Sequence, residues 1–301
     1  MDSIQKVKSI TLWIFIVPFF AINACLILIT QFHGLFNPED IIHNTIPYID
    51  GGASISRTAR VFPTYLIFKP AMFLTAYLLI RYWLYVKKII LNIHGEHKNL
   101  RKIIIFGISS AICLIIHSIF LGIKFDYDLY KLFRRVIMLV FIIFEVVAQA
   151  YLVVTFYSIK NIILQINGDH KNLRKILVIG IGSDICLVIH SIFLGIKFDY
   201  DLYKLFRRVI MLVFIIFEVV AQAYLVITLY SIKNKLLSFI NLKFLKLKAI
   251  LVSILVFVMI VSIPIVSMPG NKHIKHALEW DFFLGVILFY VLTFFMWKKQ
   301  S

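Results

Sequence analysis

Acid is scarce in this 301-residue chain: 15 Asp and Glu face 32 Lys and Arg, for a net charge of +17. Cysteine is scarcer still. The three present, Cys25, Cys113 and Cys186, all lie in apolar runs, so no disulfide is expected and the redox compartment is not indicated. No Asn-x-Ser/Thr sequon occurs, which removes glycosylation as a topology marker. There is no Walker motif, no GxSxG, no HExxH and no glycine-rich dinucleotide loop, so nothing points to the nucleotide, hydrolase or metalloprotease chemistries those motifs serve. Hydrophobic residues are in excess instead, at 61% of the chain with a mean hydropathy of +0.92. Soluble domains are roughly 45–50% apolar. Runs of about 20 apolar residues recur, each able to cross a ~30 Å hydrocarbon core. The chain reads as an all-α, polytopic transmembrane helical bundle forming one domain over residues 1–301. Its basic excess is then a matter for the membrane rule before nucleic acid, and no nucleic-acid partner is expected.

Eight spans are predicted, at about 10–30, 62–85, 103–123, 136–158, 176–196, 209–231, 249–267 and 282–297. The first is too long for the apolar core of a signal peptide and no small-residue cleavage site follows, so it reads as a retained anchor. The second is expected to kink or break near Pro70. Between them, residues 31–61 form the longest loop, ending in a stretch dense in special backbone and polar side chains: Gly51-Gly52, Ser54, Ser56, Arg57, Arg60 and Pro63.

The middle of the chain is a near-copy. Residues 89–161 return as 162–234, with 62 of the 73 positions identical. Solenoid repeats diverge while keeping a pattern; this similarity reads as a recent tandem duplication or as an error in the gene model. Each copy carries two spans, so the unit returns the chain to the same side of the membrane. Removing one copy would leave six spans and the same C-terminal orientation. With the N-terminus in the cytosol, the cytosolic segments hold 19 basic and 3 acidic residues, while the opposite face is only +3. The positive-inside bias places both termini in the cytosol and loop 31–61 outside. The basic face would also attract anionic lipid head groups, at about 1 kcal/mol per Lys or Arg near the surface.

Ionisable groups within spans are functional candidates, because placing them there costs a few kcal/mol. Counting 1.5 Å per residue from the span edges puts Lys69 roughly 10 Å and Glu145 roughly 15 Å below the outer boundary, with His117 roughly 9 Å from it. Gln149 shares a helix face with Glu145; Ser110, Cys113 and His117 share another. The expectation is an outer-leaflet polar pocket bounded by Lys69, Glu145 and His117 and lidded by loop 46–63, with Lys69 and Glu145 paired. On that expectation, replacing Lys69 leaves a buried acid alone. The second copy adds His190 and Glu218 but no second Lys69, and it replaces Ala111 with Asp184, read as drift. His273, His276 and Glu279 open the last span at i, i+3 and i+6. An interfacial role, with Trp280 as a belt residue, is preferred there to metal ligation. No metal site and no cofactor is assigned.

Two segments carry a family resemblance. Asn37-Pro38, Pro47-Tyr48-Ile49, Ser54-Ile55-Ser56, Pro63 and Phe68 resemble the first external loop of the Frag/DRAM/Sfk family. Glu279-Trp280 with Leu292-Thr293-Phe294 is similar to that family's last span. An insertion separates the halves of the loop motif, and Arg57 stands where the family has Asp. The resemblance implies six spans with cytosolic termini and a role in autophagy, phosphoinositide and lipid regulation or GPI-anchor remodelling, at endomembranes of lysosomal or Golgi type or at the plasma membrane. It carries no catalytic set.

Three functions follow as expectations. The first is a non-enzymatic membrane regulator or adaptor that binds lipid or a membrane or cytosolic protein partner, through the loop and pocket residues Ser54, Ser56, Arg57, Arg60, Lys69, His117, Glu145, Gln149, His190, Glu218, Glu279 and Trp280. The second is a membrane-embedded lipid-remodelling enzyme, with His117 or His190 as base and Glu145 or Glu218 as acid. The third is a small transporter with Lys69 and Glu145 as coupling charges. Inverted repeats would favour the third; the repeat here is direct.

Overall fold

The computed structural model describes residues 2–42, 45–95, 99–123, 127–163, 170–195, 201–231, 240–267 and 271–298. Among them there is no β-strand; one isolated antiparallel bridge joins Ile240 to Trp297. Ten α-helices follow in order: α1 (Asp2–Gln31), the short α2 (Pro47–Asp50) and α3 (Ile55–Thr58), then α4 (Tyr65–His94), α5 (Leu100–Ile119), α6 (Asp128–Ile163), α7 (His170–Gly195), α8 (Asp201–Ser231), α9 (Leu242–Ser267) and α10 (Lys272–Met296).

Six of these are long and apolar enough to cross a membrane: α1, α5, α6, α8, α9 and α10. Helix α4 is interrupted chemically by Lys69, Arg81, Lys87 and Lys88, and the apolar part of α7, Val178–His190, is shorter. The helices overrun the apolar windows at both ends, because backbone hydrogen bonding continues into the polar flanks. The break expected at Pro70 does not occur. Helix α4 begins at Tyr65 and runs through Pro70 to His94, so the missing N–H falls early in the helix, where little of the ladder precedes it. At its far end Gly95 takes φ +69° and its N–H caps the Leu91 carbonyl, a conformation that suits glycine.

The eight long helices pack in chain order. Each touches the next, and α10 closes onto α1. The seam is antiparallel: Phe15 stacks on Tyr290 at 4.0 Å, Phe19 meets Phe283 at 6.2 Å, and Lys8 near the start of α1 donates to the Trp297 carbonyl at the end of α10. Lipid supplies no hydrophobic drive for helix association, so close approach over small residues matters most. Gly107 of α5 receives the Trp83 indole of α4, and Gly285 of α10 receives Leu255 of α9. Ala76 and Ala111 bring α4 and α5 together lower down the same seam.

The loop after α1 is docked across one end of the ring. Trp280, fully buried in α10, donates from Nε1 to the Ala53 carbonyl at 2.9 Å and meets Tyr48 edge-on at 5.0 Å. Tyr48 donates to Asn23 of α1 at 2.8 Å. Gly51, at φ +61°, lies so close to the His273 carbonyl that a Cβ there would collide with it.

Candidate functional site

At the centre of the ring is a cavity of about 460 Å³, walled by α1, α4, α6, α7, α8 and α10. Glu145 and Gln149 of α6 and Glu218 of α8 line it, with Thr11, Tyr82 and Tyr290 among the other polar-tipped groups. No Lys or Arg among the described residues is on its wall.

Each glutamate is held by the same local device. Ser110 Oγ donates to Glu145 Oε2 at 2.6 Å, and Gln149 Nε2 donates to Oε1 at 3.0 Å. In the second copy, Ser183 Oγ is 3.5 Å from Glu218 Oε2, and Gln222 Nε2 donates to Oε1 at 3.0 Å. These residues are 73 positions apart, pair by pair. Spacing explains the geometry: Gln lies four residues after Glu, one turn on and on the same face, while Ser comes from the antiparallel partner helix. The two sets differ in support. The buried Trp83 indole N–H has no hydrogen bond of good geometry and interacts electrostatically with the Glu145 carboxylate. Among the described residues nothing equivalent backs the second set, and Gly180, the counterpart of Gly107, has open space beside it on the cavity wall.

The outer-leaflet pocket expected from the sequence is not assembled. Lys69 does not pair with Glu145. Its Nζ donates to the Ile119 carbonyl at 3.1 Å and lies 4.8 Å from the Tyr65 ring centroid. It therefore sits at the C-terminus of α5, where a cation meets the negative end of the helix dipole. Glu145 is level with Ser110 in the middle of α5, nine residues or roughly 13 Å along the axis. His117 is likewise apart, two turns beyond Ser110, and it interacts with Arg134 and Arg60. His190 is half-buried in α7 and is not on the cavity wall. A depth of roughly 15 Å is already the middle of a ~30 Å core, and Ser110 holds Glu145 at that height; Lys69 and His117 are the residues nearer the helix ends.

The loop residues bind one another. Ser54 caps α3 by accepting from the Arg57 N–H, and its Oγ lies 3.5 Å from Ser56 Oγ. Arg60 Nε donates to the Ser56 carbonyl at 2.7 Å and Arg57 Nη2 to the Glu39 carbonyl at 3.5 Å. Asp50, not singled out in the sequence, organises the tip: its carboxylate accepts from Ile46 N at 2.9 Å, from Gly52 N at 2.8 Å and from the Thr45 hydroxyl. His276 Nδ1 is 3.1 Å from the Gly51 carbonyl, and Glu279 is half-buried one turn on. Trp280 is thus a clamp on the loop. The side chain of Asp184 lies outside the described residues. Among the described residues no three His, Cys, Asp or Glu side chains come together as metal ligands.

Lys248 was missed altogether. Its place in a basic stretch, with Lys243 and Lys246, reads as solvated flank, yet it is 0% exposed. Its ammonium donates to Thr293 Oγ1 at 2.7 Å and lies 3.7 Å from the Phe289 ring centroid.

No family model, no curated protein and no solved structure matches the chain.

Proposed function

We propose that the chain is an eight-span integral membrane protein with both termini in the cytosol, and that its central cavity is the substrate site of a carrier for small organic cations bearing an ammonium group. The observation that carries this reading is the convergence of Glu145 and Glu218, one from each copy, on a single cavity whose wall bears no basic side chain among the described residues. Two carboxylates sharing a low-dielectric space require a counter-charge, either a proton or a cation. Tyr82 and the stacked pair Phe15–Tyr290 put aromatic rings on the same wall, the residue type that favours an ammonium. Direct repeats related by an axis along the membrane normal also occur in carriers. The charge asymmetry between the two ends supports the topology.

The test is ligand-dependent thermal stabilisation of the purified protein by 1,4-diaminobutane, tetramethylammonium and Na⁺. A ligand at a hundredfold its Kd stabilises by about 2.7 kcal/mol. An organic amine is expected to raise the unfolding midpoint, and the double variant Glu145→Gln/Glu218→Gln to lose that rise while remaining folded. A flat response to all three, or an equal response in the variant, refutes the reading.

The docked external loop favours a second reading, a membrane regulator or adaptor whose partner meets the surface around Ser54, Ser56 and Arg57. Its family link to autophagy and lipid control, and its location at an endomembrane or the plasma membrane, rest on the quoted motifs alone. Charge reversal at Arg57 separates the two readings, because it leaves the response to amines intact.

A further inference from the structure

The two glutamates of the central cavity have hydrogen-bond sets of the same make but not equally complete. A hydroxyl has one proton to give. Ser110 Oγ has two acceptors in reach, Glu145 Oε2 at 2.6 Å and the Gly107 carbonyl at 2.9 Å. A proton on the Glu145 carboxyl makes both contacts good at once: the acid O–H donates to Oγ, and Oγ donates to the carbonyl. Gln149 Nε2 serves the other oxygen at 3.0 Å whether or not that proton is present. In the second copy, Ser183 Oγ lies 3.3 Å from the Phe214 carbonyl and 3.5 Å from Glu218 Oε2. Both distances are at or beyond the ordinary limit for O–H···O bonds, and one proton cannot serve both. Among the described residues, Glu218 Oε2 therefore has neither a close donor nor a close acceptor for a proton of its own. Gln222, 4% exposed, gives Nε2 to Glu218 Oε1 at 3.0 Å and keeps its own Oε1 without a partner. The cavity also opens on this side: Ile176, Gly180 and Ile181 of α7 are on its wall, whereas no described residue of α5 is.

The first set is arranged to hold a proton, and the second lacks an N–H. We infer that Glu218 is the residue that binds the substrate, that the substrate is a protonated amine giving an N–H to Glu218 Oε2, and that Glu145 carries a proton and makes no contact with the amine. The inference rests on the reading of the cavity as an ammonium site. It adds which carboxylate does the binding and that N–H donors are required. A quaternary ammonium has no N–H and would leave Glu218 Oε2 as short of a donor as before, keeping only the attraction of opposite charges.

Single variants separate the two glutamates. Unfolding midpoints of the purified protein are measured against butylamine and against tetramethylammonium, for the wild type, Glu145→Gln, Glu218→Gln and Asp184→Ala, the last restoring the residue of the first copy. Glutamine has the shape of a protonated glutamate, so Glu145→Gln should keep the rise with butylamine. Glu218→Gln should weaken the apparent affinity at least about tenfold, the scale of a hydrogen bond to a charged group. Asp184→Ala should keep the response. In the wild type, butylamine should raise the midpoint more than tetramethylammonium at equal concentration, a comparison that needs no variant. Equal losses in Glu145→Gln and Glu218→Gln, a loss confined to Glu145→Gln, or a loss in Asp184→Ala matching that of Glu218→Gln overturns the assignment. Equal responses to the two cations overturn the need for N–H donors. A wild type unmoved by butylamine refutes the ammonium site itself, and this inference with it. Infrared difference spectra without ligand test the proton separately: the carbonyl stretch of a protonated carboxyl should disappear in Glu145→Gln and persist in Glu218→Gln. Its loss in Glu218→Gln alone, or in neither variant, overturns the proton on Glu145.

Discussion

Alanine at Gly107 and alanine at Gly180 should move stability in opposite directions, although duplication made these positions equivalent. A Cβ at Gly107 would stand 2.5 Å from Trp83 Cγ and 2.6 Å from Cε2, against a ring that is wholly buried. Ordinary contact begins near 3.4 Å, so the indole, or the whole of α4, must retreat by most of an ångström. Overpacking of this kind costs about 1–3 kcal/mol. At Gly180 nothing lies within 4 Å of the added methyl. There the substitution keeps only the gain of Gly→Ala in a helix, about 0.5–1 kcal/mol. The two variants should therefore differ by roughly 2–4 kcal/mol. Thermal unfolding in one detergent, followed by the fluorescence of the buried tryptophans, reads the difference. Adding Trp83→Leu to Gly107→Ala should recover part of the loss, as a coupled pair in a double-mutant cycle does. If both alanines destabilise equally, α5 and α7 pack alike and the asymmetry around the cavity described above is wrong.

Further outcomes follow from the same contacts. Lys69→Met should cost no more than about 1 kcal/mol, the scale of a helix-terminus charge interaction; a loss of 3–5 kcal/mol, as when a buried ion pair is broken, would restore the Lys69–Glu145 pairing. Trp280→Phe leaves the buried Ala53 carbonyl without its donor, about 1–3 kcal/mol, and opens a void where the larger indole stood, so it should destabilise by at least that much and speed proteolysis within loop 31–61 before any change elsewhere. Burial alone would raise the Asp50 carboxyl, but the hydrogen bonds from Thr45, Gly52 and Ile46, with His273 nearby, together hold it below the ordinary 3.8. A depressed folded-state value means the contribution is present above 3.8 and fades as pH falls through the lower folded value. Loop protection against protease should therefore drop in strong acid, and Asp50→Asn should show the loosened loop at neutral pH.

Much of the architecture was legible because lipid makes it so. Apolar runs must be helices, and the 73-residue period located the duplicated hairpin without any packing information. Glu145 and Glu218 were found because ionisable groups in apolar runs are rare, and Gln149 because it lies one turn beyond Glu145 on the same face. Ser110 was not recognised as a partner, since pairing by charge suggested Lys69 while the actual donor from α5 is an uncharged hydroxyl. The second set was within reach: adding 73 to Ser110, Glu145 and Gln149 gives Ser183, Glu218 and Gln222. Lys248 was not, because a lysine near a basic helix end ordinarily reaches for water, and only the neighbouring α10 decides otherwise.

The closure of α10 onto α1 gives the ring a parity. Consecutive long helices alternate in direction, so the first and last can meet head to tail only when their number is even, as the Phe15–Tyr290 and Lys8–Trp297 contacts here require. A chain built this way can lengthen or shorten by hairpins but not by single helices, which would set α1 and α10 parallel and carry the Trp280 clamp to the wrong end. Each permitted step also adds or removes one Ser–Glu–Gln set at mid-height. In this architecture the number of carboxylates facing the axis is counted by the circumference.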